Sequence, residues 1–201
     1  MNDYNNDYYI LKCGSRKVPS PYCACCKDHY FIYQNPLSLK MAVLAESSGE
    51  LEDNIPLIEA MEMDGDPLLS KRVKQVLEFF DLYCFQLQPA IYTHADDTEH
   101  FYWVGVLDNA LNVYDFEQGR VNCIYGYDTY GYDKVDAESI RLDPDKMSVI
   151  PLEKRLMFEV PGMRGTYIVH RSVAEPLIAL NASGLHLVPV MEWDDCFGMT
   201  I

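Results

Sequence analysis

Residues 67–90 and 167–190 align without a gap at an offset of one hundred. Val73 falls over Val173, Leu77 over Leu177, Leu87 over Leu187 and Pro89 over Pro189. Leu68-Leu69 matches Ile168-Val169, and Lys71 matches Arg171. Each copy reads in the same order: an extended apolar piece, a capped amphipathic helix, a short strand and a proline. An apolar residue at every third or fourth position turns one helix face to a core. The reading is two copies of one small β-α-β-like unit packed in a single domain. Convergence on a common motif is the other reading of the same likeness.

Local signals place the rest. Ser70 caps the first helix, whose Val73, Val76, Leu77 and Phe80 recur at spacings of three and four. In the second copy Ser172-Val173-Ala174-Glu175 matches a capping box, with Ser172 as N-cap and Pro176 in the first turn. Asn181 and Gly184 end that helix, and Leu185, Leu187 and Val190 form a last strand. Strands are also expected at 8–11, 101–106, 156–160 and 166–169, and one around Phe85 and Leu87 that ends at Pro89. Residues 41–45 fit a strand or a helix turn equally. Residues 13–29 read as loop, 46–66 as acidic and turn-rich up to the turn Asp64-Gly65-Asp66-Pro67, and 117–139 as irregular. The expected class is α+β: a single domain with a mixed or antiparallel sheet and a few helices. Residues 1–66 form an N-terminal strand and loop region packed on the same domain, and 67–201 its core.

Charge narrows the partners. Sixteen Lys and Arg face thirty-one Asp and Glu, a formal net charge of −15. Such a field repels nucleic acid and anionic membranes and speeds association with basic proteins; solubility alone is the plainer reading. The opening Met1-Asn2-Asp3-Tyr4 lacks the basic and apolar stretches of an export signal. No apolar run reaches the roughly 18–20 residues that cross a bilayer. Seven cysteines, an odd number, fit free thiols in a reducing cytoplasm. A cytoplasmic protein without a cofactor is expected.

Few residues are arranged for chemistry. Cys23, Cys25, Cys26 and His29 offer three thiolates and an imidazole, but no second ligand pair follows downstream, as a zinc module needs. Incidental thiols are the plainer reading, and no metal is expected. No phosphate loop, dinucleotide fingerprint, nucleophile elbow or calcium loop is present. No catalytic residue is assigned. Asp96, Asp97 and Glu99 are an acidic cluster that a solvated loop explains as well as a binding site does. In residues 125–133, Tyr127, Asp128, Tyr130, Tyr132 and Asp133 alternate rings with carboxylates around two glycines, Gly126 and Gly131. Tyrosine supplies contact area at low entropic cost, and acids complement a basic partner. A twisted edge strand or a solvated loop would read alike.

Three blocks carry a family resemblance: 67–73 running on to Pro89; Tyr102-Trp103-Val104-Gly105-Val106-Leu107 with its continuation to Asp115; and 156–160, 167–173 and 184–190 together. Over 67–190 the chain resembles immunity family eleven of bacterial polymorphic-toxin systems, long a domain of unknown function. The Cys-rich segment lies outside that pattern. The resemblance implies a cognate toxin, bound one to one in the cytoplasm and neutralised by occlusion of its active site or substrate cleft. A hydrolase that reverses a toxin's modification and a zinc-stabilised adaptor are the alternatives.

Overall fold

The computed structural model describes residues 4–24, 42–48, 55–127, 133–163 and 165–194, excepting the side chains of 122–127 and 133–136. In chain order the strands are β1 (Tyr8–Cys13), β2 (Tyr22–Cys23), β3 (Val43–Glu46), β4 (Ala60–Met63), β5 (Asp66–Leu69), β6 (Phe85–Thr93), β7 (Glu99–Leu107), β8 (Arg120–Tyr127), β9 (Asp133–Ser139), β10 (Met157–Glu159), β11 (Tyr167–His170) and β12 (Leu185–Pro189). The helices are α1 (Lys71–Leu77), α2 (Pro144–Ser148) and α3 (Arg171–Leu180). The class is mixed α+β, as composition and patterning indicated.

The two sequence repeats are two structural repeats. A six-stranded sheet has the order β2-β3-β6-β7-β5-β4, and a four-stranded sheet the order β10-β11-β1-β12. In the first, β5-α1-β6 straddles β7, which is antiparallel to both strands. In the second, β11-α3-β12 straddles β1 in the same manner. Even the register agrees. Trp103 is opposite Leu69 and Pro89, and Tyr9 is opposite Val169 and Pro189. β4 and β10 add equivalent antiparallel edges, with Ala60↔Leu69 matched by Met157↔Val169. The middle strand of one repeat follows it in sequence, whereas that of the other comes from the chain's start.

The helices bury matching faces into one shared core. Val73 and Leu77 of α1 meet Val173, Ala174 and Leu177 of α3, together with Leu69 and Leu107 of one sheet and Leu11 and Val169 of the other. The far face of the four-stranded sheet (Tyr8, Ile10, Phe158, Ile168) packs against Val113, Leu142 and Met147. The far face of the six-stranded sheet (Met61, Leu68, Tyr92, Val104) packs against Val18 and Ile58.

Several local expectations are corrected. Ser70 does cap α1, its hydroxyl accepting from the Val73 N–H, but the cap of α3 is His170 rather than Ser172. β11 runs directly into α3, so the residue at the strand end takes the cap and its imidazole accepts from the Ser172 N–H. Pro176 therefore lies in the second turn, where it removes the bond to the Ser172 carbonyl. Pro176→Ala is expected to raise stability by about 1–2 kcal/mol in urea unfolding, after the entropy that proline removes from the unfolded chain is offset.

β6 continues past Pro89 to Thr93; β3 joins the outer edge of β6 only from Ala90, so no ladder bond on that edge requires a Pro89 N–H. The 64–67 turn is shorter than its composition indicates: Asp64 (φ 52°) and Gly65 (φ 93°) reverse the chain, while Asp66 and Pro67 already belong to β5. β4 lies within the stretch read as turn-rich. The irregular stretch 117–139 contains the β8–β9 hairpin, whose register shifts near Val121 and at Ile124/Tyr127 break the two-residue period.

Candidate functional site

The two repeats agree up to Pro89 and Pro189, so what only one repeat has stands out. β6 and β7 run on beyond Pro89↔Trp103 for four more pairs, to Thr93↔Glu99, and β3 pairs with β6 along this extension alone. The extension is held firmly at its inner face. Tyr102 and Tyr92 pack edge to face at 5.7 Å, and the Tyr102 hydroxyl donates to the Ile58 carbonyl at 2.6 Å. A ring nitrogen of His94 lies 3.0 Å from the Ile55 carbonyl.

Asp96, Asp97 and Glu99 sit on this hairpin. Asp97 is in the left-handed region at φ 62° and, with His94 and Thr98, closes the turn. Asp96 accepts from the Thr98 N–H at 3.0 Å and the Thr98 hydroxyl at 2.5 Å, and these bonds hold its carboxyl below the usual carboxylate range. Asp96 is thus partly a turn-building residue. All three carboxylates are exposed.

Of the other predicted contact residues, Tyr127 ends β8 and Asp133 opens β9 directly opposite it. Asp128, Tyr130 and Tyr132 lie outside the described residues, as do Cys25, Cys26 and His29. Cys23 is buried on β2, and its backbone N–H donates to Asp64 Oδ2 at 3.2 Å. Among the described residues no three His, Cys, Asp or Glu side chains are grouped to hold a metal ion.

One ionisable cluster went unread in the sequence. It lies where the repeats meet, with the Gly65 turn against Gly165. Lys12 Nζ donates to the Thr166 hydroxyl at 2.7 Å, and Glu159 Oε1 accepts from the Gly165 N–H at 3.1 Å. Burial raises the Asp66 carboxyl to about 8, aided by the charges of Glu159 and Asp64, and raises Glu159 to about 7. Burial also lowers Lys12, against the pull of Glu62 and Glu159. Desolvation pushes the thiol of the neighbouring, partly buried Cys13 up to about 12, which makes it a poor nucleophile. The hydrogen bond between Asp66 and Tyr167 favours the charged carboxyl but does not outweigh burial, and the Tyr167 hydroxyl also donates to the Gly65 carbonyl at 3.1 Å. Such groups can exchange protons, but their partners are the backbone and side chains that join the two sheets. Glu62 and Glu159 hold equivalent places in the two sheets, opposite Pro67 and Tyr167, an equivalence that only the strand pairing shows.

Neither a family model nor a curated protein matches the chain.

Among the described residues no helix is long and apolar enough to cross a membrane.

Proposed function

We propose that this chain is an immunity protein that binds a cognate bacterial toxin one to one and occludes its active site or substrate cleft. The observation that carries the reading is the acidic β6–β7 extension, present in one repeat and missing from the other, on a chain of net charge −15. A rigid acidic projection is suited to plugging a basic cleft, and its field speeds capture of a toxin that kills at low copy number. The sequence blocks in 67–190 that resemble immunity family eleven support the same reading. Cytoplasmic residence follows from it, since the toxin must be met where it acts.

The test is co-expression with the C-terminal domain encoded by the adjacent upstream gene. Toxicity should be relieved in proportion to dose, with a stable one-to-one complex on co-purification. Rescue without a complex would overturn occlusion. Glu159, raised to about 7 beside Lys12, favours a second reading as a hydrolase that removes a toxin's modification. That reading predicts rescue at substoichiometric amounts, abolished by Glu159→Gln.

A further inference from the structure

The outward face of the β6–β7 extension is apolar. α1 covers the near part of that face, where Phe85, Leu87 and Leu107 join the shared core. Farther along, the registers Leu44↔Ile91 and Ile91↔Phe101 set three apolar side chains in one row across β3, β6 and β7. Phe101 is 80% exposed and Leu44 45%. The alternate residues Val43, Ala45, Ala90, Tyr92 and Tyr102 are buried on the opposite face, so the two-residue period holds this row outward.

One flank is polar and acidic, the other aromatic. On one side Glu46, Thr93 and Glu99 form the next row, with the Tyr22 hydroxyl donating to Glu46 at 2.5 Å. On the other is Trp103, with Lys74 Nζ 5.3 Å from its ring centre and 2.6 Å from Glu78. The second repeat has no such row: its ladder stops at Tyr9↔Pro189, and Asp7, just beyond it, is ion-paired with Arg171 at 3.1 Å.

We propose that this face docks a basic protein surface, with Phe101, Ile91 and Leu44 at the centre of the contact and Glu46 and Glu99 on its rim. An apolar centre inside a charged rim is the anatomy of a protein interface. The charge selects the occupant. A second copy of this chain would set Glu46 and Glu99 against their own kind, and anionic lipid or nucleic acid would meet the same repulsion. A protein with lysines or arginines around an apolar spot pairs with both parts. The proposal rests on the toxin-neutralising reading for the partner's identity.

The experiment measures binding of the same toxin domain to the full chain at two salt concentrations. Leu44→Ser with Phe101→Ser is expected to weaken binding by about 30-fold or more, with an unchanged melting curve because both side chains are exposed. Glu46→Lys with Glu99→Lys is expected to slow association and flatten its salt dependence, leaving dissociation closer to wild type. Wild-type binding that neither double variant alters would overturn this docking face and leave neutralisation standing. A wild-type chain that binds no toxin would overturn both.

Discussion

Gly184→Ala is expected to cost about 3–5 kcal/mol of stability, enough to remove a large share of what holds a domain of this size. Gly184 has φ +77°, a conformation that costs an L residue about 1 kcal/mol. A Cβ there would also run into the Ala60 carbonyl and come within 2.8 Å of Ile58 Cδ1. The carbonyl cannot yield easily. It belongs to the start of β4, where the Glu59 and Ala60 N–H groups both donate to the Ser183 carbonyl, at 2.9 and 3.0 Å. Gly184 itself accepts from the Gly14 N–H at 2.9 Å, which ties the same turn to the end of β1. A side chain must therefore part the two sheets or break those bonds. Gly14→Ala is the control: its φ is +120°, but nothing lies within 4 Å of its Cβ position. Urea unfolding should show a far larger loss for Gly184→Ala than for Gly14→Ala. Equal losses would mean that strain alone matters and that the close approach to β4 does not.

The protein is expected to lose stability as pH rises from about 4 to about 8, and Asp66→Asn is expected to abolish most of that loss. Asp66 is raised to about 8 in the folded chain from an ordinary 3.8, and Glu159 to about 7 from 4.5. Between those limits the folded state keeps protons that the unfolded state has released. Each such proton makes stability fall by about 1.4 kcal/mol per pH unit. The groups facing Asp66 are Glu159, Asp64, Glu62 and Tyr167, with Lys12 next to Glu159. Their coupling reduces the net loss between pH 5 and pH 8 to about 3 kcal/mol. Asparagine is a neutral isostere of the protonated acid and keeps an oxygen that can accept from the Tyr167 hydroxyl. The variant should match wild type near pH 5 and exceed it at pH 8, read by chemical unfolding at both values. A wild type equally stable at the two values would mean that Asp66 is ionised in the fold.

Much of the framework was legible because its signals are local. Ser70 and the three-to-four spacing of Val73, Val76, Leu77 and Phe80 mark α1, and the apolar stretches mark β1, β7, β10, β11 and β12. What failed was also local in appearance but set from outside. His170 rather than Ser172 caps α3 because β11 leads straight into it. β6 outlasts Pro89 because β3 arrives to extend the sheet. β8 and β9 hide behind register shifts that a search for strict alternation passes over. At the candidate site, Asp96, Asp97 and Glu99 stood out by composition. Phe101 did not, because both alternating sets of 101–106 are apolar and either could have been the buried one.

By itself the sequence pointed to the two-fold repetition of strand, helix and strand, and determined the apolar face of each helix and a strongly acidic charge. These depend on side-chain periodicity and on counts of ionisable groups, which need no knowledge of neighbours. Only the tertiary structure decided which strand completes each repeat, that Lys12, Asp66 and Glu159 share one junction, and that Leu44, Ile91 and Phe101 form one outward row. Each of these pairs residues far apart in the chain through sheet register, and a register shifted by a single residue would have turned the opposite side chains outward.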